Sequence, residues 1–165
     1  MEDGVLQKAR NFSQPLLEGS TLDSGEDVLA HADAMVEMLA HMGDSQDMQA
    51  ACYLVYACDH LAKPEDVIGK AFGASFAALA IETSRLIRIQ RQARMSASEG
   101  VQADLGVENV RKMLLAFSRD LRVVMLRLAS RLQTLRYYSV VKKQLPTGLA
   151  QETLQVFAPL ANRLG

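Results

Sequence analysis

Apolar residues recur along this chain at helical spacing. Between Gly25 and Gly43 they fall at Val28, Ala32, Met35, Leu39 and Met42, alternating steps of four and three along one face. Glu26 and Asp27 crowd the start of that segment, where the helix dipole favours acids, and Gly43 is a natural stop. From Asp47 to Leu61 the core YLVYAC is apolar on all sides. Its length, with Met48, Ala50 and Ala51 ahead of it, predicts a fully buried helix rather than a strand. Pro64, Glu65 and Asp66 mark the first turn of a short helix that runs to about Phe72 and ends at Gly73. Ala74 to about Arg94 predicts another helix, Ala-rich first and then basic, and Met95–Gly106 is the best loop candidate. Glu108 to about Ser118 and Asp120 to about Lys143 follow as two helices. In the second, Leu121, Met125, Leu128, Leu132 and Leu135 again step by four and three, and the opposite face carries several arginines. Pro146 closes it, and Thr147 is placed to cap a last helix through Leu164. No strand-like alternation and no repeat interrupts this pattern. It predicts an all-α fold, one compact domain of about seven or eight helices.

Composition narrows the class. Of 165 residues 49% are hydrophobic and 22% charged, too apolar for a disordered chain, and 10 Gly with 4 Pro exclude collagen-like sequence. No apolar run approaches the ~20 residues that span a bilayer, so no membrane partner is expected. The start MEDGVLQKAR lacks a basic region followed by an apolar one, as a secretory signal would have, and a cytoplasmic location is the expectation. Cys52 and Cys58 cannot form a disulfide framework; six apart, they also miss zinc spacing and read as small buried hydrophobes. The seven internal methionines read as core gap-fillers.

The formal charge of −1 conceals an asymmetry. Residues 1–84 carry 4 Lys and Arg against 14 Asp and Glu, net −10; residues 85–165 carry 14 against 5, net +9. Either the halves face each other in one domain or the basic half meets a polyanion, and with no visible boundary the first is the simpler reading.

Candidate chemistry is sparse. There is no Gly-rich phosphate loop, no CxxC, no HExxH and no nucleophile elbow. His31 lies on the apolar face near Val28 and Met35, as either a buried histidine bonded to backbone or water, or a ligand. His41 reads as solvated. Asp59 and His60 are adjacent and so do not face each other on a helix; they read as a polar pair at a helix end. Arg85, Arg88, Arg91 and Arg94 form a slanting stripe, a solvated face or a site for phosphate or for the acidic half. With 5% aromatic residues and no Trp, stacking platforms for single-stranded nucleic acid are poorly supplied.

Two blocks, ENVRKMLLAFSRDLRVVMLRLASRLQTLR (Glu108–Arg136) and AQETLQVFAPLANRLG (Ala150–Gly165), resemble the RelA/SpoT family of ppGpp synthetases and hydrolases. There they belong to the N-terminal HD-type hydrolase domain and its junction toward the synthetase domain. GEDVLAHADAMVEMLAHM, from Gly25, is similar to the family segment that begins GEPYI-x-HP. The resemblance implies residues 1–20 as a lead-in and 21–165 as the HD domain, with the synthetase and C-terminal regulatory domains absent from this chain. It thus implies an excised or truncated N-terminal domain.

An HD hydrolase of this kind removes the 3′-pyrophosphate of ppGpp with a manganese ion held by His, His-Asp and a distant Asp, which must acidify a bound water. On this chain the first histidine is matched by His31. The His-Asp pair falls on Val55 and Tyr56, and the assisting Glu-Asp pair on Asp59 and His60. The last metal aspartate, in the family's LADRLHN, falls on Ser130 of LASRLQT; the following His-Asn falls on Gln133 and Thr134, and an upstream arginine on Leu22. One ligand of four survives, and a lone histidine does not hold manganese. The resemblance therefore implies a domain with no catalytic, cofactor-binding or metal-binding residues of its own, as in the RelA-type branch, whose synthetase uses Mg and ATP to transfer pyrophosphate to GTP or GDP in the stringent response. Its implied partners are the synthetase domain in cis and the ribosome, through regions absent here; a second copy of the chain is a further candidate. Two other readings stay open: a divergent phosphohydrolase using His31, Asp59 and His60, and a nucleotide- or RNA-binding module built on the arginine stripe, sensitive to charge reversal at Arg88 and Arg91.

Overall fold

In a computed structural model, which describes residues 4–97, 111–113, 115–116 and 119–164, every helix or strand assignment is helical apart from one isolated bridge, Thr21 to Asp27. The all-α class is borne out. The residues sort into two compact units, 1–84 and 85–165. The sequence has no linker there because the division falls inside a helix, and it coincides with the reversal of charge. Among the described residues no helix is long and apolar enough to cross a membrane.

The first unit is built around one helix. α1 spans Val5–Leu17, α2 Val28–His41 and α3 Gln46–Ala57. α3 packs against both others, and every residue from Met48 to Ala57 is buried. That explains the absence of a polar stripe in its sequence: a helix covered on all sides keeps none. Ser45 caps it by accepting from the Met48 N–H at 3.3 Å. A 3-10 turn, Cys58–His60, follows, then α4 over Pro64–Phe72 as the Pro-Glu-Asp start predicts. Gly73, with φ +107°, takes a left-handed conformation that a side chain would strain, and so ends α4 before α5 begins at Ala74. Both cysteines are buried, with thiols directed at the carbonyls of Met48 and Leu54 one turn back.

Two features of this unit differ from the pattern. Residues 5–17, within the expected lead-in, form α1, which buries Ala9, Ser13 and Leu17; Pro15 in its last turn breaks the sequence signal without breaking the helix. Glu26 and Asp27, expected inside the first turn of α2, precede it. Asp27 is the N-cap and accepts from the Ala30 N–H at 2.9 Å, while Glu26 is turned into the interior. Backbone bonds Leu22 N–H to Glu26 O at 2.8 Å and Val28 N–H to Ser20 O at 3.0 Å close the turn that separates these tasks.

In the second unit α5 continues to Ala97, so the expected loop from Met95 is helical at its first three residues. The rest of that loop, 98–106, lies outside the described residues, as does most of the expected helix over Glu108–Ser118; the described residues within it, 111–113, 115–116 and 119, are helical. α6 spans Leu121–Val141 and is capped by Asp120, which accepts from the Arg122 N–H at 3.0 Å. Lys142, in a left-handed conformation at φ +57°, ends it. α7 is Thr147–Glu152, a π-helical segment covers Thr153–Phe157, and α8 is Ala158–Leu164. Pro146 rather than Thr147 stands at the cap of α7, with no side-chain capping bond.

α6 reverses its apparent polarity. Its buried residues are Val123, Val124, Leu126, Arg127, Ala129, Ser130, Arg131 and Tyr138. The leucine stripe lies on the other side.

The Asp27 cap is a local device whose removal leaves the other contacts of α2 in place. Asp27→Ala is expected to lower stability by about 1 kcal/mol, read as a lower urea midpoint with an unchanged slope.

Candidate functional site

The turn before α2 places Glu26 against the one histidine that the family pattern retains. His31 is in the first turn of α2 and fully buried, and its Nδ1 lies 2.7 Å from Glu26 Oε1. A carboxylate only accepts, so Nδ1 carries the proton in this pair. An acidic side chain five residues back is thus a partner of His31, where the sequence alone suggested backbone or water. Tyr56 meets the imidazole edge-on, ring centroids 5.5 Å apart at 85°, and directs its hydroxyl at Met35 Sδ. Val55 and Tyr56 are 2% and 7% exposed.

Asp59 and His60 are exposed in the 3-10 turn, and His41 is exposed at the end of α2. Ser130 is buried on α6, Gln133 and Thr134 are half-buried there, and Leu22 lies half-buried in the turn before α2. Among the described residues no three His, Cys, Asp or Glu side chains are grouped to hold a metal ion. Valine offers no lone pair, and a neutral tyrosine hydroxyl is a poor ligand. The residues present do not fit a manganese ion.

Two residues beyond His31, Asp33 ties α1, α2 and α3 together. Arg10 clamps both its oxygens at 2.9 Å, and Tyr53 donates to Oδ1 at 2.5 Å. Burial works against the Asp33 carboxylate, but the bonds from Arg10 and Tyr53 outweigh it and hold the group below the usual carboxylate range. Burial, then the Asp33 hydrogen bond, pushes the Tyr53 phenol up. None of the three residues carries a motif. The contacts span 20 and 23 residues, beyond the reach of helical spacing.

The second unit holds a denser cluster. Glu152 is fully buried and accepts from Arg94 Nη1 at 2.8 Å and from Arg131 Nη2. Arg131 Nη1 also donates to Thr153 Oγ1 at 2.9 Å, and its guanidinium lies 4.3 Å from the centre of the Phe157 ring. Arg127 lies 5.4 Å from the same ring and donates through Nε to Gln90 Oε1 at 2.9 Å. Burial raises the Glu152 pKa, but Arg131 and Arg94 overcome that and hold it below the usual value. The arginines on the far side of the leucine stripe therefore face inward. Arg94 likewise leaves the expected stripe for Glu152, while Arg85, Arg88 and Arg91 are exposed.

Comparison with known proteins gives these positions a context. The model of a family described as HD domain matches residues 9–165. A guanosine-3′,5′-bis(diphosphate) 3′-pyrophosphohydrolase of Haemophilus influenzae is 32% identical over 148 residues, covering 90% of this chain and 21% of that protein. A bifunctional (p)ppGpp synthase/hydrolase SpoT of Escherichia coli is 31% identical over 161 residues, 97% of this chain and 22% of the relative. A GTP pyrophosphokinase of Myxococcus xanthus is 29% identical over 161 residues, with coverage of 98% and 21%. The chain spans about a fifth of the length of the curated relatives it matches.

The Glu152 cluster makes stability depend on pH. Its carboxyl has a folded pKa below the ordinary 4.5, so its contribution is fully present above 4.5 and is lost as pH falls through the folded value. Glu152→Ala is expected to cost about 3–5 kcal/mol at neutral pH, because it strands two arginines. Glu152→Gln should narrow its stability gap from the parent as pH drops below 4.5, measured by urea denaturation across pH 3–7.

Proposed function

This chain belongs to the HD-domain family, and its relatives there are RelA/SpoT proteins, and on that premise we propose that it is a catalytically inactive HD domain that serves as scaffold and regulator of a (p)ppGpp synthetase domain. The observation that carries this reading is the burial of Val55 and Tyr56 at the positions where the family pattern has His-Asp. A vacant cluster of imidazole and carboxylates would be costly to bury, whereas an aliphatic side chain and a ring pack without unpaired charge. Glu26 gives His31 a proton acceptor, so the surviving histidine needs no cation. Serine at 130 supplies no carboxylate for the last ligand position.

Regulation in cis is supported by length. Relatives about five times as long have room for further domains, and the names of two of them include synthase or pyrophosphokinase activity. In such a protein Mg and ATP belong to the synthetase, and ribosome contact belongs to further regions. A domain that keeps its fold and loses its ligands retains surfaces, and surfaces are what restrain a neighbour.

The second reading, a divergent pyrophosphohydrolase, takes its support from the names of the Haemophilus and Escherichia relatives. It requires His31, Asp59 and His60 to act together, yet the first is fully buried and the other two are exposed on the 3-10 turn.

Metal analysis and a hydrolysis assay separate the two. The purified chain should retain manganese well below one equivalent, release no pyrophosphate from ppGpp at saturating manganese, and melt at the same temperature with chelator or with added manganese. Turnover that is abolished by His31→Ala would overturn the proposal.

A further inference from the structure

The helical stretch Thr147–Leu164 changes register in its middle. Thr153 N–H bonds four residues back to Leu149 O, the α pattern, whereas Ala158 N–H reaches five residues back to Thr153 O. The apolar spacing does not ask for this. Leu149, Thr153, Val156 and Leu160 step by four, three and four, as along one line of an uninterrupted α-helix. At about 100° per residue, such a helix would set Glu152 and Phe157 on opposite sides of that line, about 140° apart. In the structure Glu152, Val156, Phe157 and Leu160 are buried, while Leu149 and Thr153 are half-buried. A turn that closes over five residues brings Glu152 and Phe157 to one side. There Arg131 meets both: it donates to the Glu152 carboxylate and to Thr153 Oγ1, and lies against the Phe157 ring. Thr153 Oγ1 in turn donates to Leu149 O at 2.8 Å, a back-bond of the kind that bends helices.

We propose that Thr153–Phe157 is a conformational switch between two helical registers, set by whether Arg131 holds Glu152 and Thr153. The π-helical register keeps Glu152 inside. The α-helical register buries the line Leu149, Thr153, Val156 and Leu160 and carries Glu152 to its edge. Release of Arg131 closes the segment into α-helix and turns Thr147–Glu152 against Ala158–Leu164 by about 100°, the step of one residue. Arg94, the other cation on Glu152, holds the same register as Arg131. Because the apolar line gives the second register packing of its own, that register is a second basin and not a frayed end. The switch operates whether or not the domain hydrolyses ppGpp, since none of its residues belongs to the family's metal pattern.

The test identifies the backbone acceptor of the Ala158 N–H in the full chain, from NMR couplings across hydrogen bonds. In the parent the acceptor should be Thr153 O; two variants should move it to Leu154 O. Glu152→Ala removes the carboxylate that both arginines hold. Thr153→Val removes one of the two groups that Arg131 grips and completes the apolar line. It strands no charge, so it keeps the fold even where Glu152→Ala does not. In each folded variant the ratio of Leu154-bonded to Thr153-bonded molecules should rise by about tenfold or more, as loss of a hydrogen bond to a charged group implies. An acceptor that stays Thr153 O in every folded variant, or is Leu154 O already in the parent, overturns the proposal. So does an Ala158 N–H that loses Thr153 without gaining Leu154, because the segment then frays instead of switching.

Discussion

A charge withdrawn from water must be matched inside the fold, and this constraint governs the arrangement of the molecule more than its apolar pattern does. Glu152 is the clearest case. Its carboxylate takes the ion pairs of two arginines from two helices, and the one on α6, Arg131, sits on the side of that helix that is buried. Glu26 with His31 is the buried counterpart in the first unit, while Asp33 with Arg10 is a partly exposed pair that ties helices together. In each case the acid and its partner lie on different elements, so satisfying the charge also fixes the packing.

That constraint explains what could be read from the residues and what could not. α2 and α4 announce themselves through acids or a proline at the start and glycine stops, and α3 through a run that is apolar on all sides. α1 lies within the lead-in that the resemblance implied, and Pro15 in its last turn weakens the helical pattern there. The orientation of α6 was not legible, because spacing favoured the leucines and the deciding partner sits 21 residues beyond Arg131. Local patterns show what a helix is able to bury; they do not show what a distant carboxylate requires.

The candidate site was legible in a different way. The resemblance located His31, Val55, Tyr56 and Ser130 by position, and all four are buried, the first three within one unit and Ser130 within the other. What it did not supply is the present chemistry around His31. Glu26 reaches His31 only because the turn closed between Ser20 and Val28 swings it inward, away from the helix end that its neighbour Asp27 caps. Adjacent acids with separate duties cannot be told apart by composition. The result is a histidine held by a carboxylate and covered by a phenol ring.

The Glu152 cluster also sets an order of events. Arg94 precedes its carboxylate by 58 residues and Arg131 by 21, so a chain emerging from the ribosome makes both cations long before their counter-ion. Until residues 152–157 are released, the arginine side of α6 is better solvated than packed, and the nascent unit has no reason to close. Closure of this unit therefore waits for the segment 152–157, which brings Glu152, Thr153 and Phe157 together to the arginines already made.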